Sequence, residues 1–259
     1  MSENNFGFPL VYTRLCDFYD VLNSDDNDRK NHIIETVLKK HNVKSVLDFT
    51  CGTGSQVFYL AKSGYQVTGI DINKTLLDIA KNKAQKKTIH VTLSEGDMCS
   101  SNIGNFDAVI SIFNAIGHLN KPDFEKALDN IHHNLNDSGL YIFDIFNLDA
   151  MTDSVVKDLS MDNKKNIQNT VIHNKQYSTL NKKTGQLTSY DNFSIKEPSK
   201  ESKQFAAQFT LQLYTASELS NLLIKHHFDI ISQSDFETDH FDQDKSLRIL
   251  TVARKMKPL

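Results

Sequence analysis

The stretch Val46-Leu47-Asp48-Phe49-Thr50-Cys51-Gly52-Thr53-Gly54 joins a short apolar run to a glycine turn. Val57 and Leu60 follow at helical spacing, so the pattern predicts a strand, a tight turn and a helix. Glycines in such a turn let the backbone approach a ligand closely, and the first turn of the helix offers unpaired N–H groups. The stretch therefore predicts a ligand-binding turn at the end of a strand.

The segments around this turn alternate between strand-like and helix-like patterns. Besides the run at 45–49, apolar strands are predicted at 66–70, 90–93, 107–113 and 140–146. Asn73, Pro122 and Gly139 are expected to cap, open and end the intervening helices. Such alternation predicts right-handed crossovers and a parallel sheet that is covered on both faces.

The pattern changes after about residue 149. A period-two alternation at 205–213 indicates a half-buried antiparallel strand, and residues 155–213 are interpreted as an antiparallel insertion. Thr215 and Glu218 form a predicted capping box that opens a helix. Two closing strands are expected at 228–232 and 247–253.

Acidic residues at two further strand ends narrow the ligand class. Asp71 ends the second strand, where a carboxylate can bind ribose hydroxyls. A dinucleotide fingerprint would need glycine at position 57, which is Val57. Asp48 would repel a pyrophosphate and attract an ammonium or sulfonium group. S-adenosylmethionine fits both carboxylates, and the pattern favours it over a dinucleotide.

A third marker follows the third strand. Asp97 is placed to accept a hydrogen bond from an adenine amino group. Ile72 and Met98 offer apolar and polarizable surface for the two faces of the ring. Three markers in this order, each at a predicted strand end, indicate a nucleoside pocket.

With these motifs the chain resembles class I S-adenosylmethionine-dependent methyltransferases. Where that family commonly reads D-x-G-x-G-x-G, this chain has Asp48 to Gly54 with Thr50 in place of the first glycine. The loop Phe113-Asn114-Ala115-Ile116-Gly117-His118-Leu119 looks like the corresponding loop of glycine N-methyltransferases and of macrolide amino-sugar N-methyltransferases. The N-terminal Tyr12…Phe18-Tyr19-Asp20 looks like the lid segment of those enzymes.

The resemblance implies an α/β fold, with a Rossmann-like seven-stranded sheet of order 3-2-1-4-5-7-6 and a small antiparallel β insertion after the fifth strand. Strand seven would be antiparallel. The implied division is a lid segment at 1–28, a cofactor-binding core at 29–150, an insertion over the acceptor at 151–214 and completion of the core sheet at 215–259.

The resemblance also assigns site residues. The turn would lie under the methionine part of the cofactor, Asp71 would hold the ribose, and Asp97 would hold the adenine edge. The implied cofactor contacts are Tyr12, Tyr19, Asp48, Thr50, Cys51, Gly52, Gly54, Asp71, Ile72, Asp97, Met98 and Phe113. His118, Tyr19 and Asn114 are the expected catalytic residues. His118 would take or relay the proton of an amine, or only orient it. The expected product is S-adenosylhomocysteine.

Composition limits the partners. The 259 residues carry a net charge of −3, which does not suggest nucleic acid. Three cysteines without CxxC spacing, no secretory pattern at the N-terminus and no long apolar run suggest a cytoplasmic protein with no membrane partner. The acidic stretch 235–244 lacks the ligand spacing of a cation site, and no metal is expected. The expected partner is a small-molecule methyl acceptor, and a homodimer stays open.

Other functions remain open at this point. The same fold could methylate an oxygen or a carbon of a small metabolite, or act on RNA or protein. No Asn-Pro-Pro-aromatic motif follows the fourth strand, which weakens a nucleobase or protein-amide acceptor. The chain could also be a non-catalytic nucleoside-binding module, which would bind the ligand without producing S-adenosylhomocysteine. A nicotinamide oxidoreductase is disfavoured by Val57 and Asp48.

Overall fold

The computed structural model describes residues 6–22, 27–167, 169–236, 238 and 240–256. Its strands are β1 (Ser45–Asp48), β2 (Gln66–Asp71), β3 (Thr92–Glu95), β4 (Phe106–Ser111), β5 (Leu135–Phe146), β6 (Met161–Ile167), β7 (Thr170–Asn181), β8 (Gln186–Lys196), β9 (Lys203–Gln212), β10 (Phe228–Ser234) and β11 (Arg248–Lys255). Its helices are α1 (Tyr19–Leu22), α2 (Asn27–Lys40), α3 (Ser55–Lys62), α4 (Lys74–Lys86), α5 (Lys121–His133), α6 (Asp153–Asp158) and α7 (Ala216–Lys225).

Seven strands form the main sheet, in the order β10-β11-β5-β4-β1-β2-β3. β1 to β5 run parallel, whereas β11 pairs antiparallel with both β5 and β10. The expected strand order is therefore confirmed. The last strand, β11, lies between β5 and β10 as expected. The carboxyl ends of β1, β2 and β4 meet at one edge, the usual place for a ligand in an open α/β sheet.

Each face of this sheet is covered by helices. On one face Ile34 and Leu38 of α2 and Leu60 of α3 are fully buried against strand residues. On the other face Phe124 of α5 and Leu219 of α7 are equally buried. Burial on both sides explains why the strands read as continuous apolar runs.

The expected antiparallel insertion is a second sheet of four strands, in the order β6-β7-β8-β9. Its longest hairpin turns between Asn181 and Gln186. Gly185 in that turn has a φ of +69°, a conformation that L side chains rarely adopt. Buried and more exposed residues alternate along β8, so one face of this sheet packs inward.

The helix caps predicted from the sequence are confirmed at two helices. The side chain of Asn73 accepts from the N–H groups of Thr75 and Leu76 at the start of α4. At α7 the N–H of Glu218 donates to Oγ1 of Thr215, and the N–H of Thr215 donates back to Oε2 of Glu218. Each of these contacts satisfies a backbone donor that the first helical turn leaves unpaired.

The prediction that Gly139 ends a helix is wrong. α5 ends at His133, and Asn134 caps it, its Nδ2 donating to the carbonyl of Asn130 at 2.9 Å. Gly139 lies inside β5, where an added Cβ would come within 2.9 Å of the carbonyl oxygen of Asn136. The glycine is therefore needed for a close backbone approach in the irregular first part of β5. The third strand also begins two residues later than expected, at Thr92.

The N-terminal segment lies against the insertion. It forms 3-10 turns at Leu10–Tyr12 and Cys16–Phe18 before α1. Leu10 and Leu15 are buried with Ile172 and Phe193 of the insertion. The predicted polar break at 23–28 lies mostly outside the described residues, as do two positions of the acidic stretch, Glu237 and Asp239. Within the described part of the chain, no helix is long and apolar enough to cross a membrane.

Candidate active site

The glycine turn lies between β1 and α3. Gly52 has a φ of +50°, and Gly54, the residue before α3, has a φ of +89°. A Cβ at Gly54 would lie 2.5 Å from the ring of Phe58, whereas at Gly52 the nearest atom would be 4.0 Å away. Gly54 is thus required by packing beneath the turn, and Gly52 leaves open space above it.

Asp71 connects this turn to the end of β2. Its Oδ2 accepts from the N–H of Gly52 at 2.7 Å, and its Oδ1 accepts from the N–H of Asn73 at 2.7 Å. Burial raises the pKa of this carboxyl, and the two N–H groups act in the opposite direction. Each oxygen keeps further lone-pair capacity for hydroxyl donors of a ligand.

A cavity of about 420 Å³ opens above the ends of β1, β2 and β4. Of the residues predicted from the sequence, those that line it are Tyr12, Tyr19, Thr50, Gly52, Asp71, Ile72, Asp97, Met98, Phe113 and His118. A smaller cavity of about 320 Å³ lies beside it, and the predicted residues lining that one are Tyr12, Tyr19, Asp48, Thr50, Cys51, Gly52 and Phe113. Because Tyr12, Tyr19, Thr50, Gly52 and Phe113 border both, the two cavities adjoin.

Two predicted residues line neither of these cavities. Gly54 lies beneath the turn, as its contact with Phe58 indicates. Asn114 is buried, and its Oδ1 accepts from the N–H of Phe146 at 2.8 Å. Its side chain therefore attaches the loop that follows β4 to strand β5. The expected position of this side chain beside the reacting groups stays a prediction, and the backbone at Asn114 is left-handed, with φ +61°.

The smaller cavity is polar. Oδ1 of Asp48 accepts from the N–H of Thr50 at 2.9 Å. Burial raises the pKa of Asp48 to about 7, and the charge of Asp71 adds to this effect. Among the described residues, the amide atoms of Gln56 find no hydrogen-bond partner, although they are buried. Buried polar atoms without partners indicate that this cavity receives a polar ligand group.

The far end of the large cavity is more apolar. Ile72 keeps 58% of its surface exposed directly after Asp71, and Met98 packs beside the cavity. Oδ1 of Asp97 accepts from the N–H of Cys99 at 2.8 Å, which fixes the carboxyl at the rim. An apolar slot with one carboxyl at its edge suits a flat heterocycle that has an amino group.

The two tyrosines cover the boundary between the cavities. The rings of Tyr12 and Tyr19 have centroids 5.7 Å apart, and their hydroxyls are hydrogen-bonded. Burial, with the nearby charge of Asp71, raises the pKa of Tyr12 to about 12, and burial likewise raises the pKa of Tyr19. Both phenols are therefore neutral hydrogen-bond donors at physiological pH.

His118 lies within an aromatic cluster at the other wall. Its ring centroid is 5.4 Å from that of Tyr12, 6.0 Å from Phe8 and 6.3 Å from Phe209 of the insertion. Burial lowers its pKa to about 4. The imidazole is therefore neutral at pH 7 and is a weak base that can still orient a ligand by hydrogen bonding.

The loop that carries His118 is anchored by two residues that the sequence pattern does not predict as part of the site. Phe113 and Asn114 have φ values of +66° and +61°, which are unusual for non-glycine residues. Asp144 on β5 accepts from both of their N–H groups, and Arg248 on β11 contacts the same carboxylate. Arg248 also lines the smaller cavity. One signal was visible, because Asp144 interrupts the apolar run at 140–146.

Cys51 is buried in the main core, and burial raises the pKa of its thiol. The negative charges of Asp48 and Asp71 act in the same direction. A thiolate is therefore disfavoured at this position, so a nucleophilic role does not suit it.

Comparison with known proteins shows what the residues of this site are similar to. Residues 46–139 match the family described as Methyltransferase domain, and this span contains the glycine turn, Asp71, Asp97 and the loop of His118. Over this span, which is about a third of its length, the chain is similar to methyltransferases.

The chain is similar to two curated proteins that have more specific names. It is 34% identical to a glycine/sarcosine N-methyltransferase of Parasynechococcus marenigrum, over 44% of this chain and 42% of the relative. It is 30% identical to a dTDP-3-amino-3,6-dideoxy-α-D-glucopyranose N,N-dimethyltransferase of Streptomyces fradiae, over 44% of this chain and 46% of the relative. The chain thus spans about half the length of the curated relatives it matches.

Similarity to solved structures extends over nearly the whole length of the chain. An S-adenosylmethionine-dependent methyltransferase from Clostridium acetobutylicum has a TM-score of 0.79, 18% identity and coverage of 95% of this chain and 99% of its own. A sugar N-methyltransferase from Streptoalloteichus has a TM-score of 0.78, 14% identity and coverage of 93% and 92%. At these identities the likeness is one of fold, and it includes the inserted sheet.

The residues of this site fit S-adenosylmethionine. Its hydroxyl-bearing ribose suits the acceptor oxygens of Asp71, and its adenine suits the slot beside Met98. Its charged amino-acid end suits the polar cavity, where the amide of Gln56 lacks a partner among the described residues. Gln56 was not singled out from the sequence, since nothing distinguishes it from a surface residue of an amphipathic helix.

Proposed function

We propose that this protein transfers a methyl group from S-adenosylmethionine to the nitrogen of a small-molecule amine, of the glycine or amino-sugar kind. The observation that carries the proposal is the pair of adjoining cavities. The smaller cavity holds Asp48 and the amide of Gln56, which has no hydrogen-bond partner among the described residues, and the larger one is lined by Asp71, His118 and Phe8. Relatives named as N-methyltransferases of glycine, sarcosine and amino sugars support this acceptor class.

The protonation state of His118 favours nitrogen over oxygen as the acceptor. A neutral amine already presents a lone pair and loses its proton readily after the methyl group is attached. An alcohol has to lose its proton to a strong base as the bond forms. With its pKa lowered to about 4 by burial, His118 is too weak a base for that task, but its ring can orient an amine. An O-methyltransferase acting on a small alcohol is therefore the weaker candidate.

We assign roles to the residues on this basis. When bound, S-adenosylmethionine supplies a methyl group that its sulfonium centre has already activated. Asp71 would hold the ribose, Asp48 would face the positive charge, and Tyr12 and Tyr19 would cover the reacting groups and exclude water. Alignment and water exclusion are the main contributions that the protein makes to such a displacement.

The size and charge of the site support a small acceptor. The cavity of about 420 Å³ is covered by the N-terminal segment, and the chain carries a net charge of −3. Neither feature suits a nucleic acid. A homodimer and a cytoplasmic location remain predictions from the sequence.

The direct experiment is an acceptor screen that measures release of S-adenosylhomocysteine. Glycine, sarcosine and amino sugars form one panel, and small alcohols and phenols form another. Turnover with members of the amine panel alone is the expected result. His118→Ala should lower turnover with the best amine more than it weakens cofactor binding. Binding of the cofactor without turnover in either panel would favour a non-catalytic binding module, and no binding at millimolar cofactor would refute the proposal.

A further inference from the structure

Two consecutive residues of α1 contact two consecutive residues of the glycine turn. A Cβ added at Gly52 would lie 4.0 Å from the hydroxyl oxygen of Tyr19. The next pair is joined by a hydrogen bond, because Oγ1 of Thr53 donates to Oδ1 of Asp20 at 2.6 Å. Thr53 keeps only 2% of its surface exposed, so the donor end of this bond is shielded from water. The start of α1 is therefore held on the turn by neighbouring side chains.

Lys83 of α4 closes this contact into a ring. Its Nζ forms an ion pair with Oδ2 of Asp20 and donates to the carbonyl of Thr53 at 3.2 Å. Both carboxylate oxygens of Asp20 are thus bound, one to the turn and one to α4. The side chains of Asp20 and Lys83 are 47% and 27% exposed, so their charges alone would stabilise the contact only slightly. The contact gains strength because the buried hydroxyl and the carbonyl hold both side chains in one geometry.

The same helix also holds an earlier part of the N-terminal segment. Nδ2 of Asn73, which caps α4, donates to the carbonyl of Tyr12 at 2.5 Å. The segment is therefore attached to α4 at Tyr12 and again at Asp20. Tyr12 and Tyr19 are the two rings that cover the boundary between the cofactor cavities. These two attachments determine where the rings lie.

Asp20 lies in the wall of the smaller cavity. It lines that cavity and also an outer cavity of about 510 Å³, which is bordered by Lys62, Lys83 and Lys87. Displacement of Asp20 would therefore open the polar end of the cofactor site toward the outer cavity. A bound ligand could leave by this route while the main sheet stays intact.

We propose that Asp20, Thr53 and Lys83 form a latch that keeps α1 closed on the glycine turn and sets how fast the cofactor leaves. Asp20 is a positioning residue in this assignment, because it acts through Tyr19, whose ring covers the cofactor. The inference rests on the proposed function for the identity of the ligand. Its consequence is that Lys83, which lines neither cofactor cavity, controls how long the ligand stays bound.

The latch can be opened from two different elements. Thr53→Val removes the hydroxyl at nearly constant shape, and Thr53→Ser keeps the donor. Lys83→Met removes the cation, and its matched control is Lys86→Met, which changes an exposed lysine at the end of the same helix. The dissociation rate of S-adenosylhomocysteine is measured by surface plasmon resonance. We expect it to rise roughly tenfold in Thr53→Val and Lys83→Met, the scale of a hydrogen bond to a charged group. Thr53→Ser should restore the slow rate, and Lys86→Met should keep it.

A double variant tests whether the three groups act as one unit. Once either contact is lost the latch is open, so Thr53→Val combined with Lys83→Met should raise the dissociation rate little beyond either single change. Independent contributions would instead multiply to roughly a hundredfold increase. That result would overturn the latch.

Hydrogen exchange of the amides at residues 16–22, measured without cofactor, gives a readout that does not need the proposed function. Exchange there should accelerate roughly tenfold in Thr53→Val and Lys83→Met while protection in β4 and β5 is unchanged. Unchanged exchange in both variants, or faster exchange with a wild-type dissociation rate, would contradict the inference. Failure of the wild-type protein to bind S-adenosylhomocysteine or S-adenosylmethionine would refute the proposed function, whereas the exchange comparison would still decide whether the latch holds α1.

Discussion

Arg248 on β11 forms an ion pair with Asp144 on β5, with Nη1 and Oδ2 at 2.5 Å. Asp144 has no exposed surface, while the Arg248 side chain is 26% exposed. The same carboxylate accepts the N–H of Phe113 at 2.5 Å and of Asn114 at 3.2 Å. The pair therefore fixes the two left-handed residues that lead into the loop of His118.

Replacing Arg248 by methionine should destabilise the protein and impair its site together. Asp144 would stay buried without its cation, and removal of one partner of a buried pair costs several kcal/mol. Because Arg248 is partly exposed, we expect the free energy of unfolding to fall by roughly 2–4 kcal/mol. Urea denaturation measures this, and turnover should fall in the same variant because the loop of His118 loses its anchor.

The matched control is Lys245→Met. Lys245 pairs with Asp242 at 3.2 Å, but both side chains are well exposed. Water screens such a pair, so the control should lose less than about 1 kcal/mol. Equal losses in the free energy of unfolding of the two variants would show that burial of Asp144 does not strengthen its ion pair with Arg248.

Much of the fold could be predicted because its signals are local. The apolar runs at β1, β4 and β5 follow from burial on both sides, and the capping box at Thr215 is visible in four consecutive residues. The order of the strands was predicted through the family resemblance. The prediction that Gly139 ends a helix is wrong because the sequence alone does not distinguish a glycine that ends a helix from a glycine that allows a close backbone contact in a strand.

The site was less completely predictable because its polar contacts join distant parts of the chain. The side chain of Asn114 is committed to the N–H of Phe146, and Asp144 pairs with a residue of the last strand. No local spacing reveals such partners. Motif position alone placed the turn and Asp71 beside the same cavity, since the strand ends of a parallel sheet converge.

Asp71→Ala should weaken binding of S-adenosylhomocysteine by roughly 1.5–3 kcal/mol, the scale of hydrogen bonds to a charged group. Calorimetry measures the change. Asp71→Asn is not expected to rescue binding, because both oxygens already accept backbone N–H groups and an amide NH₂ would face one of them. Asp78→Ala on exposed α4 serves as the control. An unchanged affinity in Asp71→Ala would remove this carboxylate from the site.

Cofactor affinity should depend on pH through Asp48. Burial raises its pKa to about 7, so the carboxyl takes up a proton as the pH falls through 7 and its attraction for a cation is lost there. Its ionised fraction grows roughly fifteenfold between pH 5.5 and pH 7. We expect affinity for S-adenosylmethionine to rise by a similar factor over that interval. In Asp48→Asn the affinity should be lower at pH 7 and nearly independent of pH, and a wild-type slope in that variant would exclude Asp48 as the cause.

The free energy of unfolding should depend on pH because His118 is buried. Its pKa is lowered to about 4, whereas a histidine in the unfolded chain titrates near 6.5. As the pH falls, the unfolded chain therefore binds the proton first, and the free energy of unfolding decreases between about pH 6.5 and pH 4. Over the interval from pH 7 to pH 5 this contribution is roughly 2 kcal/mol.

His118→Phe isolates that contribution from the other titrating groups. Phenylalanine fills similar volume within the cluster of Phe8, Tyr12 and Phe209 but binds no proton. Urea denaturation at pH 7 and pH 5 should therefore show a smaller loss in the variant than in the wild-type protein, by roughly 2 kcal/mol. Equal losses would mean that His118 is protonated in the folded state at pH 5. It could then act as a base toward the acceptor, and the argument for nitrogen over oxygen would have to be withdrawn.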